Sequence, residues 1–408
     1  MTWPTARMGE HFRVKHGYAF KGEYFASDGP YVLLTPGSFN EEGGYRDQGQ
    51  KSKFYTGDVP EGYVLEEDDL LVAMTEQAPG LLGSSAWIPE GGPFLHNQRL
   101  GRIVDLDERR LNKRFLYYLF NTRDVRHQIS ATASGGKVRH TAPERIGQVK
   151  FRLPPPDTQR RIADSLSAYD DLIENNRRRI ALLEEAARQL YREWFVRLRF
   201  PGHEHTRIAN GVPEGWDSGT IADFFDTTSG GTPSRANPDF YTGGDINWVK
   251  TQELNDDFIF ETEERITEDA LARSAAKLFP ANTLLLSIYG GTNIGRTGIL
   301  AEPAATNQAC CALFPKDPRA HFIFGALYFR EQREHLIALA QGAAQTNISQ
   351  QVVRALAMHL APATIMNAFT ETLFPAFDQM KTLERQNEIL RATRDLLLPR
   401  LMSGEIAV

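Results

Sequence analysis

The chain has 408 residues, 41% hydrophobic and 24% charged, the balance of an ordinary globular protein long enough for two or three buried cores. No segment approaches eighteen consecutive apolar residues, so no membrane span is expected, and "MTWPTARMGE" lacks the apolar stretch of a secretory signal. The net charge of −6 runs against a nucleic-acid binder, which ordinarily shows a basic excess, unless the basic residues are local or partner subunits supply the phosphate contacts.

Residues 1–152 carry short apolar runs bounded by Gly, Pro and Asn, such as "YVLLTPG" and "LLVAMTEQAPG", which read as buried strands. One amphipathic helix follows, "RFLYYLFNTRDVRHQI", so the unit is expected to be α+β. Pro154-Pro155-Pro156 then breaks the pattern, and Asp157 is placed to cap a new helix. From there to about Arg199 there is neither Gly nor Pro, and the first helical spacer is set at 153–199. Ile173, Asn176, Ile180, Leu183, Ala187, Leu190 and Trp194 alternate three and four residues apart, the spacing of a coiled-coil seam. Residues 200–215 read as a connector.

Residues 216–361 form a second unit with "TLLLSIYGG", "QACCALFP" and the helix "HFIFGALYFREQREHLIAL". Cys310 and Cys311, the two cysteines, sit in one of these runs, as buried reduced thiols of a cytosolic protein would. A second helical spacer at 362–402 repeats the seam with Met380, Leu383, Asn387, Leu390, Arg394, Leu397 and Leu401, ahead of a tail at 403–408. Asn176 and Asn387 are polar seam residues of the kind that fix pairing register.

The second unit repeats the first. Trp3 falls on Trp216, Met8 on Ile221, Phe12 on Phe225, Gly17 on Gly230 and Asn40 on Asn255, and Asn97-Gln98 on Asn307-Gln308. "LEEDDLLVAM" falls on "FPANTLLLSI", Gly135 on Gly342, and Leu153-Pro154-Pro155 on Leu360-Ala361-Pro362. Duplication on this scale implies two domains of one fold. Some forty helical residues span about 60 Å at 1.5 Å each, and so long an apolar stripe needs a partner. The obvious partner of each helix is the other. A pseudo-two-fold relation would lay them antiparallel, with the globular units at opposite ends.

Catalytic chemistry is hard to find. There is no Walker-type phosphate loop, no G-x-G-x-x-G after a strand, and no NPP[FY] or DPPY tetrapeptide of the kind that holds a flipped base in amino-methyltransferases. His203-Glu204-His205 lies in a polar loop with no Cys or third His nearby, so a solvated connector is the better reading than a metal site. Arg177-Arg178-Arg179 sits among acidic neighbours and reads as a helix flank.

Recognition is easier to place. "SGGKVRH" (134–140) corresponds to "QGAAQTN" (341–347), which sets Lys137, Arg139 and His140 against Gln345, Thr346 and Asn347. Arg pairs with guanine and Gln or Asn with adenine through two hydrogen bonds, so such an exchange changes the sequence read. "HGYAFKG" (16–22) against "SGGTPSR" (229–235), and "TEQAPG" (75–80) against "YGGTNIGR" (289–296), add Lys21, Arg235, Asn293 and Arg296 as phosphate or base contacts.

These residues resemble the specificity (S) subunit of a Type I restriction–modification system, over essentially the whole chain. The resemblance rests on "GYAFKGEYF", "NGVPEGW" and "SGGTPSRANPDFYTGGDINWV", on the run from Leu153 to Val196, and on the closing "LLLPRLMSGEI". It implies two target recognition domains and two helical conserved regions forming an antiparallel spacer. It also implies double-stranded DNA and two methyltransferase subunits as partners, with restriction subunits optional. S-adenosylmethionine, and ATP with magnesium in a full complex, would belong to the partners and no cofactor to this chain, which would be non-catalytic and located in a prokaryotic cytoplasm. The second helical region departs from the usual "PP-x-x-E-Q" start, with Ala363, Met366 and Pro375. The rival readings are a stand-alone methyltransferase or nuclease, and a coiled-coil scaffold with no DNA role.

Overall fold

The structure, a computed structural model, describes residues 3–76, 80–89, 91–341 and 347–408. It divides into two compact units, Met1–Leu172 with Leu390–Val408, and Ile173–Ile389. The division does not fall where the globular repeats meet the helices. Each unit includes a stretch of both long helices.

In the first unit, strands Arg13–His16, Leu100–Val104, Leu70–Ala73 and Ser85–Trp87 lie side by side in an antiparallel sheet. A second sheet runs Phe25–Ala26, Lys53–Tyr55, Tyr31–Leu33, Phe94–Leu95, Val64–Leu65, with Tyr31–Leu33 and Phe94–Leu95 parallel. Strand Thr5–Arg7 pairs with Lys150–Arg152, tying the unit's beginning to the foot of the first long helix.

The second unit repeats this plan. Phe225–Ser229, Cys310–Pro315, Leu284–Ser287 and Thr297–Leu300 form the first sheet, extended by Phe258–Ile259. Arg265–Ile266, Ile246–Val249, Ala304–Thr306 and Leu278–Phe279 form the second, again with one parallel pair, Ile246–Val249 with Ala304–Thr306. Asp217–Thr220 with Ala357–Leu360 makes the tie. The correspondence reaches single residues. Asp68 and Asn282 both take left-handed backbone, at φ 66° and 64°, just before the central strand. Both are residue types that tolerate that conformation. A Cβ on Gly17 would stand 2.0 Å from the Asn97 carbonyl oxygen, and one on Gly230 would stand 2.1 Å from that of Thr306, so both positions require glycine.

Each single amphipathic helix expected from the sequence is two helices. Lys113–Phe120 stops at Asn121, and Thr122 caps Arg123–Ala131 by accepting from the Val125 N–H at 3.4 Å. The second copy breaks likewise into Phe322–Glu331 and Arg333–Gln341. Its first helix is not amphipathic, because Phe322 to Phe329 are all buried. Cys310 and Cys311 are buried free thiols, and burial pushes the Cys311 thiol up to about 12.

The first long helix spans Pro156–Tyr191 and closes with a π turn, Arg192–Val196. Asp157 is not its cap. Pro156 occupies the first helical position, where a missing N–H costs nothing, and Asp157 lies in the first turn, where its charge suits the helix dipole. Gln159 is fully buried there, accepting from the Asn112 N–H and donating to the carbonyls of Arg110 and Pro154, each at 2.8 Å. Its counterpart Met366, also fully buried, replaces these bonds with packing against Phe369 and Leu373 in the same core. The second long helix spans Ala363–Ser403 and runs through Pro375, which removes one backbone hydrogen bond.

Within each unit the two helices pair antiparallel. In the second, Asn176 donates to Asn387 at 3.1 Å in a buried contact, and further along Trp194 meets Phe369 at 5.6 Å. Ile173, Met380 and Leu383 are buried in the seam, with Ile180, Leu183 and Leu190 partly so. In the first unit Arg394 pairs with Asp170 at 2.5 Å, and Leu397 and Leu401 join Ile162 and Leu166 in the core, with Leu390 half-buried. The 200–215 stretch is anchored too: Phe200 is 2% exposed against Trp216 at 5.1 Å.

Candidate nucleic-acid interface

In the first unit the described residues of 75–80, which exclude 77–79, are joined to the loop 134–140. Thr75–Glu76 pairs with Arg139–His140 as a two-residue ladder, and His140 Nδ1 lies 3.1 Å from Thr75 Oγ1. Glu76 organises the pair. One carboxylate oxygen accepts from the N–H groups of Gly80, Leu81 and Leu82 at 2.9–3.2 Å, and the other binds Arg139 at 3.0 Å. The Glu76 side chain is 3% exposed. Arg139 also donates to the Ser130 carbonyl at 2.6 Å. Its guanidinium thus helps to shape the loop that carries it. Lys137 and His140 face solvent beside it.

The loop 16–22 is built separately, on the turn at His96–Leu100: Gly17 and Tyr18 donate to the carbonyls of Leu100 and His96. Lys21 is exposed, with Glu23 at 3.8 Å.

The second unit joins the matching segments. Asn347 Oδ1 accepts from the Gly290 N–H at 3.3 Å, which ties the end of 341–347 to 289–296. Asn293 belongs to the turn Gly291–Asn293, and Arg296 donates to Asn255 Oδ1 at 3.1 Å. Gln345 and Thr346 lie outside the described residues. Arg235 stacks over Tyr241 and Trp248, at 4.3 and 5.2 Å, and is ion-paired with Glu264. Lys250 sits between Glu263 and Glu264 at 3.0 and 2.8 Å. Hydrogen bonds from Arg235 and then Lys250 hold the Glu264 carboxyl down at about 2. Arg235 and Arg296 are therefore engaged within the protein, as is the side-chain oxygen of Asn347.

Two features have little or no local signature in the sequence pattern. Glu76 resembles any loop acid, and nothing near it marks its pairing with Arg139 across 63 positions. Lys15 and Lys53 lie over the rings of Tyr63 and Phe25 at 4.5 and 5.9 Å. Lysines interleaved with aromatics in "KHGYAFKGEYF" and "KSKFY" are the only hint of the second.

Among the described residues no helix is long and apolar enough to cross a membrane, and no three potential metal ligands gather. His203 Nδ1 instead lies 2.9 Å from the Phe200 carbonyl oxygen.

Residues 1–185 and 213–391 match the family described as the Type I restriction modification DNA specificity domain. The chain is 23% identical over 324 residues to the Type I restriction enzyme MjaIX specificity subunit of Methanocaldococcus jannaschii, covering 78% of this chain and 74% of that one. It is 22% identical over 354 residues to the HindI specificity subunit of Haemophilus influenzae, covering 72% and 76%. The crystal structure of the Type I restriction-modification system S subunit from M. genitalium aligns at a TM-score of 0.60 and 14% identity, over 98% of this chain and 96% of that one, a likeness of fold. With one fold built twice, each copy carrying paired polar loops and each falling within a match to that family, the chain belongs to the specificity subunits of Type I restriction–modification systems.

Proposed function

We propose that the chain reads a bipartite, asymmetric target in double-stranded DNA, one half-site per unit, and docks adenine methyltransferase subunits on its long helices. Two such subunits bind, and restriction subunits join in a full complex. The partners carry S-adenosylmethionine, and ATP with magnesium where a restriction subunit is present. The chain itself contributes recognition and no catalysis, in the cytoplasm of a prokaryote.

One observation carries this reading. The framework is repeated down to Asp68 and Asn282 in left-handed turns, while the loops mounted on it differ in side chain. Identical domains under a two-fold would read a palindrome. Divergent loops on identical frames read two unrelated sequences. Lys137 and His140 in one unit, and Asn293 and Asn347 in the other, are the groups offered to base edges, with Lys21 for phosphate.

The test is to map methylated adenines in DNA from cells expressing the complete locus. Two unrelated half-sites separated by unread base pairs are expected. A continuous or palindromic motif overturns the reading, as does tight binding of S-adenosylmethionine to the isolated chain.

A further inference from the structure

We propose that the first unit carries a DNA-strand contact surface of its own, an aromatic–lysine face apart from the base-reading loops, with no open counterpart in the second unit. The proposal rests on the reading of the chain as a DNA specificity subunit.

Six rings form one connected set. Tyr18 meets Phe20 at 5.1 Å and Tyr63 at 5.4 Å, Phe20 meets Tyr55 at 4.9 Å, and Tyr24 and Phe25 reach Tyr55 at 5.8 and 6.2 Å. Phe20 and Tyr55 are buried and hold the set in place, whereas Tyr18, Tyr24 and Phe25 are 36%, 41% and 39% exposed. Three cations stand among them. Lys15 lies over Tyr63 and donates to the Gly62 carbonyl at 2.8 Å, Lys53 lies over Phe25, and Lys21 precedes the Gly22–Tyr24 turn. Among the described residues neither Lys15 nor Lys53 makes an ion pair.

The second unit treats the corresponding region differently. Its rings there, Tyr241 and Trp248, are covered by Arg235, and Trp248 is 2% exposed with its Nε1 donating to the Gly231 carbonyl. Both cations, Arg235 and Lys250, are neutralised by Glu263 and Glu264. One unit has closed and discharged this region, and the other has left its outer rings exposed and two of its three lysines without an ion pair.

Exposed rings with unpaired lysines suit a nucleic-acid strand, where phosphates take the cations and sugars or bases take the rings. A protein partner would also accept the aromatics, but lysine is depleted from the centres of protein interfaces.

The test uses the assembled complex with its methyltransferase subunits, titrated with a target duplex, an unrelated duplex, and a target duplex holding one unpaired nucleotide. The variants are Tyr18→Ala/Tyr24→Ala/Phe25→Ala and the milder Lys15→Gln/Lys53→Gln, which leaves the ring set intact. The aromatic variant should weaken binding by about tenfold or more. The lysine variant should flatten the slope of log affinity against log salt by about 0.9 for every phosphate it no longer neutralises. The methylated motif should be unchanged. Weaker binding to all three duplexes marks interaction with sugar and phosphate, and weakening confined to the unpaired duplex marks stacking on a displaced base; either supports the proposal. Unchanged affinity and salt slope overturn it. So does failure of the lysine variant to assemble with the methyltransferase, which would make this a protein-docking face, and so does an altered motif. A wild-type complex that methylates no bipartite site would instead remove the underlying functional reading.

Discussion

Asn176 and Asn387 form the seam contact most open to direct test. Both amides are buried, at 6% and 3% exposure, and Asn176 Nδ2 donates to Asn387 Oδ1 at 3.1 Å. Ile173, Ile180, Leu183, Met380 and Leu383 share the second unit with them and leave little else for an amide to bind. Asn387→Leu alone strands the Asn176 amide, at about 1–3 kcal/mol for the unpaired polar group. Asn176→Leu alone strands Asn387 in the same way. Replacing both removes the two polar groups together, and each leucine can return up to about 1.5–3 kcal/mol of burial. The double variant should therefore be at least as stable as the wild type, and the cycle should show coupling of more than about 1 kcal/mol. Urea unfolding of the full chain, followed by helical circular dichroism, measures all four corners. The double variant should also gain alternative pairings of the helices, because the polar pair penalises registers that separate it. If the single costs add to the double, the two amides are not partners and the register argument fails.

Arg139→Ala should cost about 2–3 kcal/mol, because it leaves the buried Glu76 carboxylate without its counter-charge, whereas Lys137→Ala should be neutral. Thermal unfolding of the two variants decides this; a stable Arg139→Ala that relaxes one half-site would restore Arg139 as a base reader. Burial, then the neighbouring charge of Asp257, raises the Glu384 carboxyl to about 8 while it accepts from the Phe258 N–H at 2.9 Å. Its contribution is complete below the ordinary carboxylate range and is lost as pH rises through about 8. Glu384→Gln should therefore remove roughly 2–3 kcal/mol of the fall in stability between pH 5 and 8, even after screening by nearby solvent. Matching slopes of stability against pH in the two proteins would refute it. Gly17→Ala should destabilise the first unit by at least about 1–3 kcal/mol, since its methyl group meets the Asn97 backbone and cannot be relieved by a rotamer change; amide exchange at residues 96–100 no faster than in the wild type would contradict that.

The duplication was legible because the frame repeats positions where few residue types work. Glycine is required at 17 and 230, a left-handed turn needs Asp68 or Asn282, and an indole fills the same place at Trp3 and Trp216. The seam was legible because three-and-four spacing is a local property of a helix. Long-range partnerships were not legible. Thr122 looks like one polar residue inside an amphipathic run, and its capping role depends on the chain turning just before it. Arg139 looks like a free cation until Glu76, 63 residues earlier, is folded beneath it. Arg235 likewise becomes an ion-paired cover for Trp248 only when the second sheet brings Glu264 alongside. Pattern reveals which face is buried; it does not reveal which loop charge is already taken.

The first unit draws its core from both ends of the numbering: Leu401 and Met402 pack with Phe115, Leu116 and Ile162, and Ile406 and Val408 pack against them. On the ribosome this imposes an order. Residues 1–172 leave the exit tunnel well ahead of Leu390–Val408, the segment that completes their core, so they must wait half-built while Ile173–Ile389 is synthesised. The unit that is begun first cannot be completed until nearly the whole of the second has been made, and through that interval Phe115, Leu116 and Ile162 lack the packing that Leu401 and Met402 supply.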